Sequence, residues 1–265
     1  MKSYLKYLIK KHFYHLMLHD KVSPAVQIAQ NALALALVKS LFRYDEIDFN
    51  VFTYAGEDGL LFNIICRLEG IPNRFIDIGS GDCIKSNCAN LSVNHGWKGL
   101  FIDANKNNIS IGKAFYRKLT LTKFNPPEFL NSVITTSNVN ALLRSFTTPA
   151  QTGLLSIDID GDDYWVWEAI TITSPWVVII EAAVEFGKKD FVTPYSGAPT
   201  KNSQFTIHNS QLSGASVYAL VRLGKAKGYS LVSANRMGYN LIFLRNDLLE
   251  KAGITELNPE IIFTR

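Results

Sequence analysis

Arg74-Phe-Ile-Asp-Ile-Gly-Ser-Gly-Asp-Cys83 is an alternating apolar run that ends in two glycines and an acid. It reads as a buried strand that breaks at Gly79 and Gly81 into a tight turn opening a helix. A second run, Gly99-Leu-Phe-Ile-Asp-Ala-Asn105, follows about twenty residues later and reads as the next parallel strand, with Asp103 at its carboxyl end. Ligands of open α/β sheets bind at those carboxyl ends, where helix N-termini and loop amides converge. An acid at the tip of the second strand is placed to hold the hydroxyls of a ribose, so the pair points to a nucleoside-containing cofactor.

The spacing narrows the choice. A dinucleotide fingerprint needs a third glycine where this chain has Ile84. Asp77, on the strand before the turn, would repel a diphosphate and suits a ligand with a positive centre. S-adenosylmethionine carries both an ammonium and a sulfonium group, and it is the cofactor expected here.

Around these runs, strand and helix patterns alternate as in a mainly parallel α/β sheet. Strands are expected at 74–78, 99–103, 131–136, 153–158 and 176–181, with a closing pair at 229–234 and 239–244 around the turn 235–238. Leu60 to Leu68 and Ser23 to Phe42 read as helices. The Gly-, Pro-, Ser- and Asn-rich segment 187–213 lacks periodicity and reads as a lid or binding loop. Phe124-Asn-Pro-Pro-Glu-Phe129 reads as a turn.

Composition sets the bounds. The 265 residues are 47% hydrophobic and 19% charged, ordinary for a globular chain and long enough for a full core. A net charge of +4 gives no argument for nucleic acid as a partner. Three cysteines without metal spacing (Cys66, Cys83, Cys88) fit reduced thiols and a cytoplasmic location. Met1 to Leu18 interleaves lysines with apolar residues and has no apolar run long enough for a transmembrane segment. It reads as an amphipathic helix packed on the domain; an anionic membrane surface and a homo-oligomer contact are the alternatives. The expected domains are a helical extension over 1–53 and the cofactor-binding domain over 54–265.

The densest polar cluster is Asp158-Ile-Asp-Gly-Asp-Asp-Tyr-Trp-Val-Trp167, at the end of the fourth strand. Alternation puts Asp158 and Asp160 on the cleft side, whereas Asp162 and Asp163 are placed to cap the helix beginning near Tyr164. Glu181 ends the fifth strand and is expected beside Asp160. His208 lies in the irregular loop. A carboxylate or histidine there can take the proton from a hydroxyl acceptor. Alternatively Asp160, Glu181 and His208 can hold a divalent metal, Mg or Mn, that lowers the hydroxyl pKa.

With these motifs the chain resembles the class I S-adenosylmethionine-dependent methyltransferases, and within them the FkbM-type group of bacterial sugar and surface-polysaccharide pathways. The resemblance covers about 54–250. It rests on Gly56-Glu-Asp-Gly59, Phe75 to Asp82, Gly96 to Asp103, Asn138-Val-Asn140, Asp158 to Trp167 and Gly214-Ala-Ser216. It implies a Rossmann-like, mostly parallel seven-stranded sheet with a C-terminal antiparallel hairpin and extra N-terminal helices. It implies that Asp77, Gly79 and Gly81 line the methionine half, that Asp103 binds the ribose, that Asn138 neighbours adenine and that Asp158 stands beside the methyl. Glu57 and Ser80 are counted with the cofactor site. The implied reaction is direct SN2 methyl transfer to a sugar hydroxyl, on a nucleotide-linked or polymer-bound sugar, as in capsular polysaccharide biosynthesis. Cys83 stands where many relatives have a third glycine, and Ala182 and Ala183 where polar residues are expected. A nicotinamide-dependent oxidoreductase and a non-catalytic binding protein with a vestigial fold are the competing readings.

Overall fold

A computed structural model of the chain describes residues 24–38, 48–146, 151–197, 206–207, 210–211 and 213–264. The amphipathic segment Met1 to Leu18 and His208 lie outside the described residues. The chain divides into two compact units, Met1–Cys66 with Asn73–Ser132, and Arg67–Pro72 with Val133–Arg265.

The first unit holds helix α1 (Pro24–Val38), α2 (Glu57–Cys66), β1 (Arg74–Ile78), α3 (Ala89–His95), β2 (Lys98–Asp103), α4 (Lys106–Arg117) and β3 (Glu128–Asn131). Its strands pair in parallel, β1 with β2 in the register Asp77–Phe101 and β2 with β3 in the register Asp103–Asn131. Buried β-branched and aromatic side chains drive this pairing. Phe101 is the hub, with ring centroids 5.0 Å from Phe75, 5.3 Å from Tyr116 and 5.7 Å from Phe129. Phe75 lies against the β2 backbone so closely that a Cβ on Gly99 would fall 1.9 Å from its ring, so only glycine fits there.

The second unit holds α5 (Val139–Leu143), β4 (Leu154–Ile157), α6 (Asp163–Ala169), β5 (Val177–Glu181), the short ribbon β6 (Thr206–Ile207) and β7 (Ser210–Gln211), α7 (Val217–Ala226), β8 (Tyr229–Ala234), β9 (Asn240–Arg245) and α8 (Leu249–Ala252). β4 and β5 are parallel, and β9 runs antiparallel to both β5 and β8. Strands β4 and β5 are buried end to end apart from Glu181, the burial of a strand covered on both faces. The seven-stranded sheet takes the first unit's strands in the order β3-β2-β1 and the second unit's in the order β4-β5-β9-β8. It is the Rossmann-like α/β class expected, with all seven strands present and the last pair antiparallel.

Three local expectations are corrected. The third strand is residues 128–131, not 131–136, so the segment read as a turn supplies its first half. Phe129 fixes this register by packing on Phe101, whereas 132–136 carries β-branched residues without such a contact. The glycine turn does not open a helix directly, since α3 begins only at Ala89. Finally, neither Asp162 nor Asp163 caps α6: Asp162 occupies the N-cap position without a side-chain cap bond, and Asp163 turns back toward the strand end.

Candidate active site

The turn after β1 is built by positive backbone angles and by acids that collect its amides. Gly79, Gly81 and Cys83 all have positive φ, at 83°, 55° and 62°. Cys83 therefore adopts at its non-glycine position the backbone that glycine supplies freely. The amides of Gly79 and Ser80 donate to the Ile102 carbonyl at 2.9 and 3.0 Å, binding the turn to β2. Asp82 Oδ1 accepts from the amides of Ile84 and Lys85, which closes the turn behind it.

Asp103 ties the two strand ends together. Its Oδ2 accepts from the Gly81 amide at 2.9 Å, and its Oδ1 accepts from the Asn105 amide at 2.7 Å and from Asn108 Nδ2 at 3.1 Å. A carboxylate has about four acceptor sites, so three protein donors leave Asp103 about one for a ligand hydroxyl. Partial burial raises its pKa, and the three donors oppose that rise. Asp77, fully buried at the end of β1, accepts from Ser86 Oγ at 2.5 Å. Burial raises the Cys83 thiol pKa too, with Asp77, Asp103 and Asp82 adding to the effect and Ser80 opposing it. That thiol is therefore protonated and poorly nucleophilic.

At the entrance to α2, Glu57 Oε2 accepts from the Ala55 amide at 2.9 Å. Its neighbour Asp58, which sequence reasoning passed over, gathers the amides of Val51, Phe52 and Thr53 on Oδ2 at 2.7, 2.7 and 2.9 Å. Asp58 therefore fixes the 51–53 segment. A reciprocal bond runs from the Asp58 amide to Thr53 Oγ1 at 3.1 Å, but its five-residue spacing is not that of a capping box, so no local pattern marked Asp58.

The second unit carries the acidic cluster. β4 ends at Ile157, and the chain bends through Asp160 (φ 60°) and Gly161 (φ 145°) before α6. Asp163 holds this bend by accepting from the Ile159 amide at 2.8 Å and the Gly161 amide at 2.9 Å. Asp162 instead reaches the long loop, taking the Ser196 amide at 3.0 Å, Ser196 Oγ at 2.8 Å and the Gly197 amide at 3.0 Å. With these partners Asp162 and Asp163 shape the backbone.

The bend brings Asp158 and Asp160 to Glu181. One carboxylate oxygen from each lies within 4.8 Å of the other two. A cavity of about 190 Å³ opens beside them, lined also by Ala183, Ser213, Gly214 and Tyr239. The small Ala183 and Gly214 leave that space free. Burial pushes the Glu181 carboxyl up to about 9, and the charges of Asp158, Asp163 and Asp160 add to the rise. Asp163 is pushed up to about 6 by burial, opposed by its backbone donors. At neutral pH Glu181 thus keeps its proton and can donate a hydrogen bond, because burial disfavours its charged form.

A hard divalent cation fits this donor set. Oxygens sharing one Mg ion at about 2.1 Å lie about 3.0 Å apart when adjacent and about 4.2 Å apart when opposite, so the three carboxylates, within 4.8 Å of one another, need to close by up to about 1.8 Å to share it. The expected trio shared Asp160 and Glu181 with His208; the structure puts Asp158 beside the first two. Asn138, also in the second unit, spends its side chain on its own turn, accepting from the Thr135 amide at 2.8 Å and donating to the Val133 carbonyl at 2.9 Å.

No protein-family description and no curated protein matches the chain. Among solved structures it is similar to the bifunctional kinase-methyltransferase WbdD, at 15% identity and a TM-score of 0.41, over 72% of this chain and 38% of that one. The chain thus spans well under half the length of WbdD. It is similar to the magnesium protoporphyrin IX methyltransferase ChlM from Synechocystis PCC 6803 with bound S-adenosylmethionine, at 10% identity and a TM-score of 0.40, over 86% and 83% of the two chains. It is also similar to an O-methyltransferase from Bacillus cereus in complex with S-adenosylhomocysteine, at 14% identity and a TM-score of 0.45, over 83% and 90%.

Proposed function

We propose that this chain is an S-adenosylmethionine-dependent O-methyltransferase that acts on a sugar hydroxyl. The observation that carries the reading is the Gly81–Asp103 hydrogen bond at 2.9 Å, which joins the glycine turn after β1 to the acid at the tip of β2. This junction offers a buried acid at Asp77 and about one remaining acceptor site on Asp103. Such a set suits a cationic amino-acid end and a ribose better than a pyrophosphate. Glu57, Ser80 and Gly79 belong to the same proposed cofactor site, and the adenine and methyl-side roles of Asn138 and Asp158 are proposed with them.

In the reaction a hydroxyl oxygen forms a bond to the methyl carbon as the carbon–sulfur bond breaks, and the hydroxyl proton must leave. Asp160 is the proposed proton acceptor, with His208 as the second candidate. Glu181, protonated at neutral pH, orients the acceptor by donating a hydrogen bond. In the alternative arrangement Asp158, Asp160 and a deprotonated Glu181 would together hold Mg or Mn, which would lower the pKa of a bound hydroxyl. The sugar acceptor rests on the resemblance of the 158–167 run. A cytoplasmic location and a role in capsular polysaccharide biosynthesis are proposed with it, and the free thiols Cys66, Cys83 and Cys88 accord with that location. No described helix is long and apolar enough to cross a membrane.

Calorimetry with S-adenosylmethionine, S-adenosylhomocysteine and NAD tests the cofactor; absence of binding by both sulfur nucleosides overturns the reading. A screen of nucleotide sugars, with and without Mg or Mn, reads out S-adenosylhomocysteine and tests the acceptor. Asp160→Asn is expected to abolish transfer and leave cofactor affinity within about threefold, as expected of a group that handles the acceptor's proton. A large loss of affinity instead would place Asp160 in the cofactor site.

A further inference from the structure

The stretch from Ala104 to Pro127 contains Lys106, Lys113, Arg117, Lys118 and Lys123 and no acidic residue. The rest of the chain has 22 basic against 23 acidic residues, so this one stretch accounts for the whole positive charge. In the folded first unit, four of these cations surround a cavity of about 440 Å³ at the C-terminal end of α4. Its lining runs from Lys113 to beyond the C-terminal end of that helix and includes none of Gly79, Gly81, Asp82, Cys83 or Asp103. It is therefore a different cavity from the proposed cofactor site.

Lys113, Arg117, Lys118 and Lys123 line it together with Phe129, which is half-buried. Tyr116 also borders it but is buried, with its hydroxyl donating to the Cys83 carbonyl at 2.9 Å. Lys113 and Arg117 are four residues apart on one helix face, a like-charge arrangement that disfavours an isolated helix. Among the described residues, Lys113, Arg117 and Lys123 have no carboxylate partner. The helix dipole accounts for cations in the last turn of α4. It does not account for Lys123 on a separate turn, nor for that turn's apolar side chains. There Phe124 is 91% exposed and Leu121 43% exposed.

We propose that this cavity is a second binding site, taking a phosphate group carried on an apolar body. The cations hold the phosphate oxygens, the half-buried Phe129 ring covers the adjoining apolar part, and the exposed Phe124 and Leu121 extend that surface outward. Their exposure favours a phosphate borne by a lipid in a bilayer over a free phosphorylated molecule.

The test uses the full chain. Sedimentation with vesicles of phosphatidylglycerol and phosphatidylcholine is compared with phosphatidylcholine alone, and calorimetry measures pyrophosphate and glycerol 3-phosphate. Binding to the anionic vesicles is expected to fall about fivefold per removed cation, so Lys113→Gln with Lys123→Gln lowers it roughly 25-fold. Lys113→Arg with Lys123→Arg should retain it. Lys189→Gln with Lys251→Gln makes the same charge change on exposed residues elsewhere and should leave it within about twofold. Phe124→Ser should weaken vesicle binding and leave binding of the soluble phosphates unchanged. Binding of a soluble phosphate that the cavity pair abolishes supports the site with a free ligand. No binding of either probe, or equal losses from the two Gln pairs, overturns the proposal.

Discussion

The raised pKa of Glu181 makes the stability of the metal-free protein depend on pH in a way that one substitution should remove. In the fold the carboxyl titrates near 9, against an ordinary value of 4.5, because burial and then Asp158, Asp163 and Asp160 oppose its charge. Between those two pH values the folded chain holds a proton that the unfolded chain has released. Its contribution is therefore fully present below pH 4.5 and is lost as pH rises toward 9. The full slope is about 1.4 kcal/mol per pH unit, which bounds the total loss at about 6 kcal/mol. Water reaching the half-buried carboxyl reduces this, so about 2 kcal/mol is expected between pH 6 and pH 8.5. Glu181→Gln keeps the shape and the hydrogen-bond donor but cannot ionise. The variant should match the wild type within about 1 kcal/mol at pH 6 and exceed it by about 2 kcal/mol at pH 8.5. Urea unfolding in EDTA at both pH values measures the difference. Saturating Mg or Mn should flatten the wild-type profile alone, since cation binding removes the cost of the third charge. Parallel pH profiles for the two proteins in EDTA would refute the reasoning.

Three further outcomes follow from the first unit. Asp103→Ala removes the acceptor of the Gly81, Asn105 and Asn108 donors, so it should cost about 2 kcal/mol of stability and weaken S-adenosylmethionine at least tenfold by calorimetry. With Cys83 and Cys88 buried and their thiol pKa values raised, Ellman's reagent should titrate only the half-buried Cys66 in the folded protein and all three thiols in denaturant. Gly99→Ala places a Cβ in the Phe75 ring, 1.9 Å from its nearest carbon, and should cost about 3 kcal/mol or more by thermal or urea unfolding.

How much of this was legible depended on whether the deciding contacts were local. The strands β1 and β8 were read to the residue, because their apolar runs are bounded by glycine or by a turn within the same segment. The third strand was misplaced because Ser132 to Thr136 has the stronger β-branched composition, while packing of Phe129 against Phe101 and Tyr116 selects the earlier register. The tie between Gly81 and Asp103 was readable in outline, since an acid at one strand tip and a glycine turn at the previous one must meet when the strands pair in parallel. The left-handed backbone of Cys83 carried no signal at all, because its sequence gives a residue that ordinarily avoids that region.

The acids of the 158–163 run show where local reading stops. A run of Asp before a helix invites the N-cap assignment, and for Asp162 and Asp163 that assignment fails although both side chains do bind backbone amides. The amides that Asp162 binds lie 34 and 35 residues downstream, at Ser196 and Gly197, so no local pattern identifies them. Asp163 binds amides on its N-terminal side and thereby sets the left-handed bend at Asp160. That bend sets Asp160 beside Glu181, where burial raises the Glu181 pKa and the charges of Asp158, Asp163 and Asp160 add to the rise. The two halves of the run are therefore coupled: Asp163, by its own charge as well as by shaping the backbone, adds to the raised pKa of a carboxyl eighteen residues away in sequence. Asp163→Asn keeps a side chain that accepts only one of its two amide bonds, so it should loosen the bend and lower the Glu181 pKa toward the ordinary range. The pH-dependent loss of stability in EDTA would then shrink in this variant, though less than in Glu181→Gln because burial still acts, and an unchanged loss would refute the coupling by charge and by backbone alike.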